Sequence, residues 1–323
     1  MIVRSSMPLR LRSFIAYMAL PYVRHELPGW GKLLGQVGIH SEAIWKDAPV
    51  KSIRGKLHGY EMQMDLRNWS DRQSFFLARF YDLPTQLLIM DLVQAGDTFI
   101  DLGANIGMIS MLAARLVGPS GQVHSFEPNP DAFARLRNHV DSNGLGNVTL
   151  YQFAVSDVED ELTLTVLDNH SGSGTLAPLG SEAAGHQQKS YTVPVKVVDD
   201  VLPERLSSNV IIKIDVEGFE CRAIRGLKQT ITRYQPAFVL EAVSGHLRRA
   251  GSSLEEMFDL LQSQGYEAFE IATRAHLLRH RLNLRPCQTA TDLHANNVLW
   301  LPQGGPWRQR LASTLAYNVP DVV

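Results

Sequence analysis

The chain has 323 residues, 45% of them hydrophobic, enough to bury one large core or two modest ones. Its 31 Lys and Arg against 33 Asp and Glu leave a formal charge of -2, which gives no general electrostatic attraction to nucleic acid. Two cysteines, Cys221 and Cys287, exclude a disulfide framework and a structural cysteine zinc site, which points to a reducing, cytoplasmic setting.

Residues 1–25 carry Arg4, Arg10, Arg12 and Arg24 and no acid, around the apolar run Phe14 to Leu20 that Pro21 ends. The run is too short to cross a bilayer and is not followed by a convincing cleavage site, so it reads as an amphipathic helix. Packing on the domain or in a homodimer interface is its expected role, with peripheral membrane contact as the alternative. Gly29, Gly31, Gly35 and Gly38 suggest a turn-rich connection. Alternation over Lys56 to Leu66 predicts two short strands, and Phe75, Phe76 and Phe80 mark a helix. Pro84 opens the next helix.

Thr98 to Ile100 then form a short β-rich run that ends in Asp101. The turn Gly103-Ala104-Asn105-Ile106-Gly107 follows, and a helix from Met108 stops at Gly118-Pro119. Glycines at 103 and 107 allow close backbone approach to a ligand, and the new helix offers free N–H groups. A carboxylate at 101 disfavours a pyrophosphate there, and the turn is not G-x-G-x-x-G, so a dinucleotide is not expected. Gln122 to Phe126 is a second buried strand, closing with Glu127. Such an acid, one βαβ unit after the first strand, is placed to take both hydroxyls of a ribose. Asn129 caps and Pro130 starts a helix that ends at Asn143-Gly144. Val148 to Val155 is read as strand three, ending in Ser156-Asp157.

Leu162, Leu164 and Val166, with Val193, Val195 and Val197, predict a two-stranded insertion at the sheet edge, a place that Pro194 fits. Residues 171–190 between them read as a polar loop, either a lid or a solvated connection. Val210 to Asp215 is an almost wholly apolar strand of the kind covered on both faces. Pro236 to Leu240 repeats the pattern and ends in Glu241. Tyr266 to Ile271 and a final antiparallel Asn297 to Leu301 complete the sheet, and the tail after it contributes little.

Four blocks in order, Asp101-x-Gly-Ala-Asn-x-Gly107, Phe126-Glu-Pro-Asn-Pro130, Ala154-Val-Ser-Asp157 and Ile212-Lys-Ile-Asp-Val-Glu-Gly-Phe-Glu220, resemble the FkbM family of S-adenosylmethionine-dependent methyltransferases. The resemblance implies an α/β, Rossmann-like class I methyltransferase sheet of order 3-2-1-4-5-7-6 with its last strand antiparallel. An N-terminal extension of helices and a β-hairpin would occupy residues 1–84, the catalytic domain 85–302 with the edge hairpin inserted in it, and a tail 303–323. It implies O-methylation of a hydroxyl on a small molecule, sugar or glycan, with S-adenosyl-L-methionine as cofactor. Cofactor contacts are then expected from Asp101, Gly103, Asn105, Gly107, Glu127 and Asp157, the last accepting from the adenine amino group. Asp215 ends the fourth strand, beside the first at the topological switch point, and faces the acceptor. Lys213, two residues earlier, projects from the same face and can pair with a carboxylate.

An alcohol must lose its proton to be methylated. His246 is the first candidate for the base, ahead of His170 and His294. Asp215, Glu217 and Glu241 offer oxygen ligands for magnesium, but a metal-free hydrogen-bonding set is the preferred reading. The competing functions are a nicotinamide-dependent oxidoreductase on a related fold and a non-catalytic adenosylmethionine-binding protein.

Overall fold

The computed structural model describes residues 9–167, 174–177, 188–207, 209–276 and 279–316. The chain divides into two compact units, one reaching to Tyr81 and the other starting at Asp82.

In the first unit, helix Leu9–Met18 is followed at once by helix Leu20–Arg24, with Pro21 in the first turn of the second. Proline is tolerated there because that N–H has no intrahelical acceptor, so Pro21 redirects the chain without ending helical structure. The glycine-rich stretch is not a bare connection but carries helix Trp30–Gln36. Gly29 and Gly38 flank the helix with positive φ, and Leu34 is buried on it. Strands β1 (Val50–Arg54) and β2 (Glu61–Asp65) form an antiparallel hairpin. Helix Trp69–Leu77 is capped by the Asn68 side chain, which accepts from Ser70 N and Asp71 N. It buries Phe75 and Phe76 among Trp45 and Tyr17, and Phe80 lies beyond its end.

The second unit is built on an eight-stranded sheet of β3 (Thr98–Leu102), β4 (Gln122–Phe126), β5 (Val148–Tyr151), β9 (Val210–Ile214), β10 (Ala237–Glu241), β11 (Tyr266–His276), β12 (Arg279–Cys287) and β13 (Asn297–Pro302). Its order is β12-β11-β13-β10-β9-β3-β4-β5. β5, β4, β3, β9 and β10 run parallel, and β13 lies antiparallel between β10 and β11. This is the 3-2-1-4-5-7-6 arrangement with one further edge strand, β12, a hairpin partner of β11. Its sequence, Arg279 to Cys287, lacks a clean apolar alternation, which is why it escapes a pattern-based reading.

The third strand is shorter than expected. β5 stops at Tyr151, and Ala154–Ser156 forms β6 of a separate three-stranded sheet with β8 (Gln188–Val197) and β7 (Asp160–Leu167), order β6-β8-β7. The insertion is therefore not an edge hairpin of the main sheet, and β8 is a central strand. Pro194 fits because β6 pairs with Val195, Lys196 and Val197, so among the described residues the strand partner at 194 is β7 alone. The tail also contributes: Trp307 and Leu311 are fully buried, and Arg310 pairs with buried Asp97 just before β3. No described helix is long and apolar enough to cross a membrane.

Candidate functional site

β3 and β9 lie side by side, and the chain leaves their carboxyl ends in two touching turns. Gly103 has φ +83, and a Cβ built on it would stand 1.8 Å from the Asp215 carbonyl oxygen. Gly107 has φ +92, and its Cβ would stand 2.5 Å from Leu136 Cδ1. Both glycines are thus required by close protein packing, not by ligand approach alone. His139, buried on helix Pro130–Ser142, contacts the Ile106 carbonyl through Nδ1 at 2.9 Å and anchors the same turn from below.

Glu127 ends β4 beside this turn. Its Oε2 accepts from Asn105 N at 2.7 Å and its Oε1 from Asn129 N at 2.8 Å. Burial pushes its carboxyl up to about 7, despite the two backbone donors. Asn105 takes the left-handed conformation, φ 49, and its Oδ1 is buried without a hydrogen-bond partner. Asp101 lies deeper. It is fully buried, its Oδ2 accepts from Ser110 Oγ at 2.6 Å, and its Oδ1 is 3.8 Å from Lys213 Nζ. Burial raises its pKa, opposed by Lys213. Asp101 thus supports the turn from inside the sheet.

Lys213 is the register partner of Asp101 across β3 and β9. It is no surface lysine: 7% exposed, it donates from Nζ to Asp215 Oδ2 at 2.9 Å. Burial disfavours its charge, but the carboxylates of Asp215 and Asp101 together outweigh that and raise its pKa above the ordinary lysine value. Asp82 stands within electrostatic reach of Lys213 and Asp215, caps helix Leu83–Leu92, and accepts from Asn297 Nδ2 at 2.9 Å. Its capping role is legible in Asp82-Leu83-Pro84, whereas its place beside β9 depends on the fold.

After Asp215 the chain makes a constrained turn. Glu217 has φ 54 and Gly218 φ 112, and the buried Glu220 carboxylate accepts from Val216 N and Gly218 N, both at 3.1 Å. A Cβ on Gly218 would stand 2.5 Å from the His246 carbonyl oxygen, so the turn rests directly on helix Ser244–Arg249. Thr175, one of four described residues of the loop after β7, donates from Oγ1 to the Glu217 carbonyl at 3.1 Å. Residues 188–190 of the lid candidate belong to β8, and the remainder, like His170, lies outside the described residues.

The turn brings the Glu217 Oε2 carboxylate oxygen to 2.9 Å from His246 Nδ1, with Glu241 Oε2 at 3.5 Å from the same nitrogen. Glu217, chiefly, and Glu241 raise His246 to about 10, and burial raises Glu241 to about 8. His246 is therefore an imidazolium held between two acids and not a lone free base. His294 is exposed, and its backbone N–H bonds to Glu270 Oε1.

Asp157 is not brought to this place. It follows β6, which runs back beside helix Glu220–Arg225, and the preceding Ser156 carbonyl lies 2.3 Å from where a Cβ on Gly226 would stand. Asp157 accepts from Ser156 Oγ at 3.0 Å, at the opposite end of that helix from Gly218. Strand three ends four residues before the end of the apolar run, so Asp157, expected to contact adenine, follows a strand of the smaller sheet and not the carboxyl end of β5.

A family model described as the methyltransferase FkbM domain matches residues 101–268, more than half of the chain. The chain belongs to the FkbM methyltransferase family. The match begins at Asp101 and contains Glu127, Asp215, Glu217, Glu241 and His246. Among relatives of this FkbM chain, Methyltransferase 1 of Beauveria bassiana is 29% identical over 41% of this chain and 59% of its own length. The 31-O-demethyl-FK506 methyltransferase FkbM of Streptomyces tacrolimicus is 31% identical over 42% of this chain and 61% of its own. The 2-O-methyltransferase NoeI of Sinorhizobium fredii is 27% identical over 54% and 75%. The chain thus spans less than two thirds of the first two relatives.

Sequence reasoning missed Glu220, Asp82, Asn297 and Thr175. Glu220 had a signal, since it closes the Asp215-Val-Glu-Gly-Phe-Glu220 block, three residues from Glu217 as in a capping arrangement. Asn297 had none, because only the β10 to β13 register sets it opposite Glu241.

Proposed function

We propose that this FkbM protein moves the methyl group of S-adenosylmethionine to a hydroxyl of a small molecule, sugar or glycan. The observation that carries the reading is the adjacency, across β3 and β9, of a turn with unspent acceptors and a carboxylate–imidazolium cluster. Each Glu127 oxygen has accepted one backbone N–H and keeps a lone pair for a ribose hydroxyl. The orphaned Asn105 Oδ1 supplies a further acceptor for a donor on the cofactor. The residues of the turn therefore suit the cofactor, which supplies an electrophilic sulfonium methyl when bound.

Asp215 and the Glu217, His246 and Glu241 trio stand on the acceptor side. Methyl transfer is an in-line displacement, so the chain's contribution is orientation plus acceptance of the hydroxyl proton. His246 takes part as the centre of a proton-sharing trio, in which a carboxylate oxygen of Glu241 or Glu217 receives the proton. The O-methyl specificity in the names of the Streptomyces and Sinorhizobium relatives supports oxygen as the acceptor atom.

Titration calorimetry tests the reading. S-adenosylmethionine and its demethylated product bind the purified protein and NAD does not. Glu127→Ala weakens cofactor binding by about 1.5 to 3 kcal/mol, the range for hydrogen bonds to a charged group. NAD binding as tight as adenosylmethionine rejects the assignment.

A further inference from the structure

Glu217, Glu241 and His246 each present one ligand atom, and the three atoms lie within 4.8 Å of one another. They come from three fixed elements: the turn after β9, the carboxyl end of β10 and helix Ser244–Arg249. We infer that these three side chains form a binding site for a first-row divalent cation of the manganese type, with coordination positions left open toward the acceptor side.

The spacing carries the argument. Ligands about 2.1 Å from a common cation stand roughly 3.0 Å apart in octahedral and about 3.4 Å apart in tetrahedral geometry. His246 Nδ1 lies 2.9 Å and 3.5 Å from the two carboxylate oxygens. An ion pair at such distances would direct an N–H along one of these lines. Here both His246 Nδ1 and Glu241 Oε2 are buried atoms without an aligned hydrogen-bond partner. Two acids and one imidazole gather their ligand atoms within 4.8 Å of one another.

The backbone is strained at this cluster. Glu217 is a non-glycine residue at φ 54, a conformation that costs of order 1 kcal/mol or more and persists only where neighbours enforce it. Here the Glu220 carboxylate, the Thr175 hydroxyl and the contact of Gly218 with the His246 backbone enforce it. Its product is the aim of the Glu217 carboxylate.

The donor set decides the ion. One nitrogen among oxygen ligands suits Mn²⁺ and its neighbours better than Mg²⁺, which prefers oxygen and keeps several waters. Asp215, the residue that oxygen-only reasoning would add, is already paired with Lys213. Two carboxylates balance the charge of the cation, and an alkoxide forming at an open position would be stabilised by it. This rests on the proposed acceptor side but changes what the trio holds there, since a bound cation displaces the Nδ1 proton that His246 shares with the two acids in the metal-free protein, and the test involves neither cofactor nor methyl transfer. The two readings therefore fail separately.

The full chain, freed of metal by chelation, is titrated with Mn²⁺ and followed by electron paramagnetic resonance. One Mn²⁺ binds per chain with a dissociation constant below about 100 µM, and spin-echo modulation reports a coordinated imidazole nitrogen in the unaltered protein. His246→Gln and Glu241→Gln, checked for native circular dichroism, each weaken binding at least tenfold, whereas Asp215→Asn and His294→Ala do not. Absence of binding, absence of nitrogen modulation, or equal affinity in His246→Gln overturns the inference.

Discussion

Lys213 is the side chain on which two acids depend, the buried Asp101 and the half-buried Asp215. It lies opposite fully buried Asp101 in the β3 to β9 register and bonds Asp215 at 2.9 Å. Removing one partner of such a group leaves an uncompensated buried charge, so Lys213→Met costs about 3 to 5 kcal/mol of folding stability. Adding Asp101→Asn to that variant removes the stranded charge and recovers at least half of the loss, since Ser110 can still donate to the remaining side-chain oxygen. Urea unfolding of the two single variants and the double variant measures this coupling directly. Additive losses would mean that Lys213 serves Asp215 alone. The same contact explains a limit of sequence reading at this scale. The i to i+2 relation of Lys213 and Asp215 is visible in a strand, but the pairing with Asp101 needs the two strands to be neighbours.

At the scale of elements, what was legible followed from uninterrupted periodicity and from capping chemistry. β3, β4, β9 and β10 are short buried runs with an acid at or beside the carboxyl end, and helices Leu83–Leu92 and Pro130–Ser142 are announced by Pro84 and by the Asn129 cap with Pro130. What was not legible depended on long-range pairing. The apolar run Val148 to Val155 has no internal break, yet it divides between two sheets because β6 finds β8, more than thirty residues later. Gly103 shows how tightly the central elements meet. Its positive φ and the Asp215 carbonyl oxygen, 1.8 Å from any added Cβ, mean that Gly103→Ala must push apart the turns after β3 and β9. The expected loss is about 3 kcal/mol or more, read as a lowered denaturation midpoint, from left-handed strain together with the clash. Gly144→Ala is the control, with φ +62 but nothing within 4 Å of the added atom. It should lose only the strain part, and equal losses at the two positions would refute the packing argument.

Across the whole molecule, buried titratable groups pull the pH dependence of stability in opposite directions. Glu220 and Glu127, 1% and 7% exposed, are raised from the ordinary 4.5 to about 7, chiefly by burial. A carboxyl whose folded pKa lies above its unfolded value contributes stability that is complete below the unfolded pKa. It is lost as pH rises through the folded one. Each therefore favours the fold at pH 4.5 and stops doing so by pH 7, a change of about 3 kcal/mol apiece. His124, 3% exposed, is lowered by burial from 6.5 to about 4, and has the reverse sign. Its stabilisation is present above pH 6.5 and is lost as pH falls toward 4, again by about 3 kcal/mol. His124 offsets only one of the two acids, so these groups leave the cofactor-free protein more stable near pH 5 than near pH 7.5. Glu220→Gln isolates one contribution, because a neutral amide can still accept at the Val216 to Gly218 turn but no longer titrates. Denaturant unfolding at several pH values compares the variant with the parent. The difference in unfolding free energy should move in the variant's favour by about 3 kcal/mol between pH 4.5 and 7.5, with unchanged denaturant slope. A difference that stays constant across that range would mean that Glu220 ionises in the fold as readily as in the unfolded chain, and that burial at the turn after β9 carries no electrostatic cost.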